Sequence, residues 1–113
     1  MTFPLTVSNV SLHLLDAALQ RPGVCTTIND IRHACTVAAK LAPCFTDRPK
    51  LGKEITQAQA AEWEAWCDKT PTSEVTLTED ERNTCKKIVK DSLAIYTVGP
   101  PLLALLDALG LEN

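Results

Sequence analysis

Apolar residues in this chain recur at helical spacing in five stretches, most of them introduced by a residue that can cap a helix and ended by one that can stop it. The clearest stretch begins with Val75 and Leu77, which alternate with polar neighbours as in a short strand, and leads into Thr78. Thr78 and Glu81 form a capping box, in which the hydroxyl accepts from a first-turn N–H and the Glu reaches back to the cap N–H. Glu79, Asp80 and Glu81 favour the positive end of the helix dipole, and Lys86, Lys87 and Lys90 lie nearer its negative end. Cys85, Ile88, Val89, Ser92, Leu93 and Tyr96 then form one stripe, which predicts a helix running to Tyr96.

The other elements follow from the same signals. Leu5-Thr6-Val7 predicts an edge strand, and Ser8 or Asn9 caps a helix through Gln20 with Leu12, Leu15, Ala18 and Leu19 on its inner face. Arg21-Pro22-Gly23 ends it. Thr27 and Asp30 open a second helix, with Ile28, Ile31, Cys35, Ala38, Ala39 and Ala42 on its expected inner face and Val37 off it. Residues 43–53 predict an exposed loop, and Thr56 with Gln59 makes a further capping box for an Ala-rich helix to about Asp68. Lys69 to Ser73 is expected to be a turn-rich connector. After Gly99-Pro100-Pro101, a closing helix carries Leu102, Leu105, Leu106 and Leu109, with Gly110 as its C-terminal cap. The predicted fold is mainly α: a compact bundle of four to five short helices, with two or three very short strands preceding capped helices. Ile55-Thr56 and Leu77-Thr78 also align at an offset of twenty-two residues, so Ile55 and Leu77 are candidates for two short strands that meet.

Composition narrows the class. With 113 residues, the chain is expected to form a single domain over 1–113, and a domain of this size buries roughly 65% of its unfolded surface. Aromatic residues make up only 4%, so the core falls to Leu, Val, Ile and Ala. A net charge of −3 gives no electrostatic footprint for nucleic acid, although Arg48, Lys50 and Lys53 cluster in one loop. The N-terminus lacks the basic start and apolar run of a signal peptide, and no apolar stretch approaches the ~20 residues of a membrane span. The expected location is therefore cytoplasmic, where five cysteines, an odd number, stay as thiols.

Five cysteines and two histidines raise the question of metal. His33 and Cys35 are the nearest pair, and two residues apart on a helix they project about 200° from one another, so they cannot share an ion. Cys25, Cys35 and Cys44 match no zinc-ligand spacing, and Cys35, Cys67 and Cys85 fall on apolar stripes where cysteine acts as a small hydrophobe. No nucleophile elbow, zinc-protease helix or phosphate loop occurs. His33 is expected at the surface, and His13 is expected to form no more than a surface pair with Asp16. No catalytic residue, metal ligand or cofactor is expected, and the chain is expected not to be an enzyme.

Binding chemistry is the better-supported expectation. Trp63 and Trp66 are the large aromatics of a helix that otherwise uses Ala, and Trp offers large area with one donor. Leu102, Leu103 and Leu106 belong to a Leu-rich end wider than one core-facing stripe. Together with Arg48 and Lys50 of the charged loop, these are the candidate partner-binding residues. The partner is another protein or a second copy of the chain. The alternatives are a helical regulator that contacts nucleic acid through Arg48, Lys50 and Lys53 or through Lys86, Lys87 and Lys90, and a self-assembling structural protein.

The capped start Leu77-Thr78-Glu79-Asp80-Glu81 and the final Leu-rich helix over residues 104–111, in an acidic chain of this length without catalytic motifs, resemble small bacteriophage-encoded accessory proteins. The resemblance covers mainly residues 54–111. It implies stoichiometric binding to a host or phage protein, and it assigns no functional residue.

Overall fold

A computed structural model describes residues 2–21, 23–49, 54–69, 71–96 and 98–111. The chain runs β1 (Thr2–Ser8), α1 (Asn9–Leu19), α2 (Ile28–Leu41), a 3₁₀ turn at Ala42–Phe45, α3 (Gln57–Lys69), β2 (Thr72–Thr78), α4 (Glu79–Asp91), a 3₁₀ turn at Leu93–Ile95 and α5 (Pro100–Leu109). It is mainly helical, with a small antiparallel sheet of β1 and β2.

The two strands pair with Leu5 opposite Val75, Thr2 opposite Thr78 and Ser8 opposite Thr72. Leu5, Val7, Val75 and Leu77 turn into the core, and Thr6, Glu74 and Thr76 turn out. Each strand runs straight into a helix through a hydroxyl cap. Ser8 accepts from the Ser11 N–H, and Thr78 accepts from the Glu81 N–H while Glu81 completes the capping box. The two strand–helix units are displaced by seventy residues, with Leu5-Thr6-Val7-Ser8 corresponding to Val75-Thr76-Leu77-Thr78. Each is followed by a second helix, α2 after α1 and α5 after α4. The internal echo is therefore one of strand, helix and helix. The expected meeting of Ile55 with Leu77 does not occur, because Ile55 precedes α3 outside any strand and is 58% exposed.

One apolar cluster joins the sheet to the helices. Leu12, Leu15 and Ala18 from α1 meet Cys85, Ile88 and Val89 from α4, and Leu105 and Leu109 from α5. Polar ties fix the joins. Ser11 Oγ donates to the Pro101 carbonyl at 2.7 Å, Tyr96 Oη donates to the Leu14 carbonyl at 3.0 Å, and Arg21 donates to the Asp91 carbonyl and to Ser92 Oγ, both at 2.9 Å.

Three sequence expectations are corrected. The inner face of α2 is Ala34, Val37 and Leu41, which are buried, with Ala38 against them; Ile28 and Ile31 are 70% and 50% exposed, and Cys35 and Ala39 also point outward. Both faces of α2 are apolar, so hydrophobicity could not choose between them. Val37 and Leu41, both fully buried in the core cluster, mark the face that docks. Secondly, α4 stops at Asp91, where Ser92 turns its hydroxyl onto the Ile88 carbonyl at 2.7 Å, and Leu93 is left 45% exposed. Thirdly, Thr72 and Ser73 belong to β2 and not to a connector, because pairing with β1 extends the strand beyond its apolar residues.

Candidate functional site

Helix α3 contributes no fully buried residue, yet its capping box forms as expected: Thr56 Oγ1 accepts from the Gln59 N–H, and Gln59 Oε1 accepts from the Thr56 N–H. Tryptophan anchors it. Trp63 and Trp66 lie 5.3 Å apart between ring centroids, and the His13 ring stands edge-on to both, at 4.8 Å from Trp63 and 6.1 Å from Trp66. Phe45 closes the cluster with its ring centroid 6.3 Å from His13, and the Arg48 guanidinium sits 4.4 Å above the Phe45 ring.

His13 is therefore a part of this cluster and not half of a simple surface pair. Arg48 bridges His13 and Asp16, with Nη1 at 3.0 Å from His13 Nδ1 and 3.3 Å from Asp16 Oδ2. Burial holds the His13 pKa below its ordinary value, Arg48 lowers it further, and Asp16 opposes them. The expectation that Arg48 projects from a basic loop is corrected by the same contacts: its charge is turned inward. Lys50 and Lys53 lie outside the described residues.

Beside this cluster a groove of about 1090 Å³ separates α3 from β2. One wall is Glu62, Ala65, Trp66 and Lys69 from α3; the other is the sheet, from Ser73 to Thr76. Pro43, Cys44, Thr46, Asp47 and Pro49 form its end. Asn9, 6% exposed, stiffens the floor: its Nδ2 donates to the Cys44 carbonyl at 2.9 Å and its Oδ1 accepts from Ser73 Oγ at 2.6 Å. The 3₁₀ turn over residues 42–45 is thus held to the sheet, where the sequence predicted only loop.

The β2 edge that borders this groove follows from a proline. Pro4 has no N–H, so the Pro4–Thr76 pair cannot be one that exchanges hydrogen bonds. Thr76, and by the strand period Glu74, therefore turn their N–H and C=O groups away from β1. Two contacts agree: Lys40 Nζ donates to the Thr76 carbonyl at 3.0 Å, and the Thr78 N–H donates to Glu81 at 2.8 Å. Among the described residues, the Glu74 N–H and C=O and the Thr76 N–H have no protein partner.

Lys40 reaches this edge because Glu81 holds it. Glu81 is 4% exposed and receives Lys40 and Thr36, the latter at 2.7 Å. Burial disfavours its charge, but the hydrogen bonds from Lys40, the Thr78 backbone and Thr36 outweigh that and bring the pKa down to about 2. The pattern of buried Glu, capped strand and tethered Lys was not legible as a site in the sequence, where Glu81 served only as a cap.

The remaining candidates are scattered. In α5, Leu102 is 9% exposed and Leu106 is partly buried against the core, whereas Leu103, 59% exposed, faces outward. His33, expected at the surface, lies half-buried with Nδ1 3.0 Å from Thr84 Oγ1. Lys87 pairs with Asp30 at 2.9 Å. Cys85 is fully buried and its thiol is pushed up to about 12 by burial, whereas Cys35, expected on the inner stripe, is exposed. Among the described residues, no three His, Cys, Asp or Glu side chains are gathered as they would be around a metal ion, and no helix is long and apolar enough to cross a membrane. No protein-family model matches the chain, and no curated protein or solved structure matches it either.

Proposed function

We propose that the chain is a small protein–protein interaction module that works by stoichiometric contact and not by turnover, in keeping with its resemblance to bacteriophage accessory proteins that bind host or phage proteins. The observation that carries this reading is the groove between α3 and β2, where an open strand edge lies beside Trp66 and a stiffened polar floor. Concavity, an aromatic wall and unpaired backbone groups are what a peptide-binding surface supplies. The nucleic-acid alternative gains little support, since Arg48 and Lys87 are engaged by Asp16 and Asp30. A photo-crosslinking residue placed at Ala65, in the groove, is expected to capture one protein in the cells that make this chain. The same residue at Leu103 is expected to capture none, and capture from Leu103 alone would move the surface to α5.

A second reading, self-association, is favoured by the outer stripe of α2. An antiparallel pair of α2 helices centred on Cys35 sets Ile31 against Ala39, large against small, with Arg32 flanking the seam. Light scattering across a concentration series tests it: a dimer lost on Ile31→Asp supports it, and a monomer throughout excludes it.

A further inference from the structure

We infer that the groove takes an extended, basic segment of a partner protein, which adds as a third strand to the free edge of β2. The inference rests on the reading of this groove as the binding surface and names its ligand. Glu74 and Thr76 present backbone groups away from β1, and the lining residues from Ser73 to Thr76 follow that edge. An incoming strand lies ~4.8 Å from the edge and bonds alternate residues. It can accept from the Glu74 and Thr76 N–H groups and donate to the Glu74 carbonyl, while Lys40 already occupies the Thr76 carbonyl and marks where pairing stops.

Charge selects the occupant. Asp47, Glu62 and Glu74 line the groove, and among the described residues none of them forms an ion pair. Among the described residues of the lining there are two lysines; Lys40 is bound to Glu81, which leaves Lys69 against three carboxylates. A segment with Lys or Arg at alternate positions complements this lining, and an acidic segment or a nucleic-acid backbone is repelled by it. A second copy of the chain is a poor fit for the same reason. Symmetric β2-to-β2 pairing brings the acidic rims of two grooves together, and α3 stands in the way.

The experiment is selection of a random-peptide library on the intact protein, followed by amide hydrogen exchange on the complex with the best synthetic peptide. Selected peptides are expected to carry Lys or Arg at alternate positions, to lose binding on Ala65→Arg, and to slow exchange at the Glu74 and Thr76 amides by at least about tenfold. Peptides that are lost on Ala65→Arg but leave those amides exchanging freely, or that are acidic, overturn strand addition and leave the groove as a binding surface. Peptides that bind Ala65→Arg as well as wild type place binding elsewhere and overturn both readings. Failure to select any peptide overturns the inference alone, because a short extended segment is then insufficient, and the crosslinking at Ala65 still decides the broader reading.

Discussion

Arg48 Nη1 lies 3.0 Å from His13 Nδ1, and this one contact fixes the state of the histidine. A guanidinium only donates, so Nδ1 must be the lone-pair nitrogen and the proton sits on Nε2. Protonation at Nδ1 would set two donors against each other beside the face where Trp63 and Trp66 dock.

The folded His13 pKa lies below its ordinary value because of burial and then Arg48, with Asp16 opposing. The unfolded chain therefore binds the proton more readily, and the stability tied to neutral His13 is present above ~6.5 and lost as pH falls through the folded value. Tryptophan fluorescence is expected to titrate with a midpoint below 6.5, and His13→Gln is expected to abolish that step. A midpoint above 6.5 contradicts the dominance of burial and Arg48 over Asp16 at His13.

Glu81 governs a lower window. Its pKa falls to about 2 in the fold from an ordinary 4.5, so its contribution is complete above ~4.5 and disappears as pH drops toward 2. At ~1.4 kcal/mol per pKa unit this is on the order of 3 kcal/mol. Urea denaturation of Glu81→Gln is expected to show a loss of that order at neutral pH and near equality with wild type at pH of about 2.

The docking face of α2 can be tested by contrast. Val37 is fully buried and Ile31 half exposed. Val37→Ala is expected to cost about 2 kcal/mol, and Ile31→Ala to stay within ~0.5 kcal/mol, in dilute thermal or chemical unfolding. The opposite ranking would restore the stripe of Ile28, Ile31 and Cys35 to the core.

Thiol chemistry gives an independent check of burial. Cys35 is exposed, and Cys85 is buried with its thiol pushed up to about 12. A thiol reagent applied to the native protein, with labelled peptides identified by mass spectrometry, is expected to modify Cys35 promptly and Cys85 only after denaturation.

Much of the fold was legible because local signals act locally. The caps Ser8, Thr27, Thr56 and Thr78 all accept the first-turn N–H predicted for them, and Gly110 ends α5 at φ 73°. What could not be read depends on distant partners. Two apolar faces on α2 gave one periodicity with two solutions, and only the tertiary packing that buries Val37 and Leu41 resolves them. The sheet pairs segments seventy residues apart, Leu5-Thr6-Val7-Ser8 with Val75-Thr76-Leu77-Thr78, and no local pattern joins them, whereas Ile55-Thr56 offers a nearer likeness to Leu77-Thr78 without forming a strand. Of the candidate site, the sequence marked Trp66, which lines the groove, and Trp63, which anchors α3 beside it. It could not mark Asn9, Lys40 or Glu74, ordinary polar residues until the chain brings them to one edge. Pro4 was the available signal: a proline in a two-stranded sheet fixes which residues face outward.

The most direct measurement is affinity capture with the tagged chain and its Ala65→Arg variant, each checked for native helicity and melting, with bound protein quantified against bait. Ala65 is exposed on α3 and lines the groove, so an arginine there fills the groove without entering the core. One partner recovered in fixed proportion with the wild-type chain and lost with the folded variant is the expected result. Equal recovery with both, or no stoichiometric partner at all, contradicts the account.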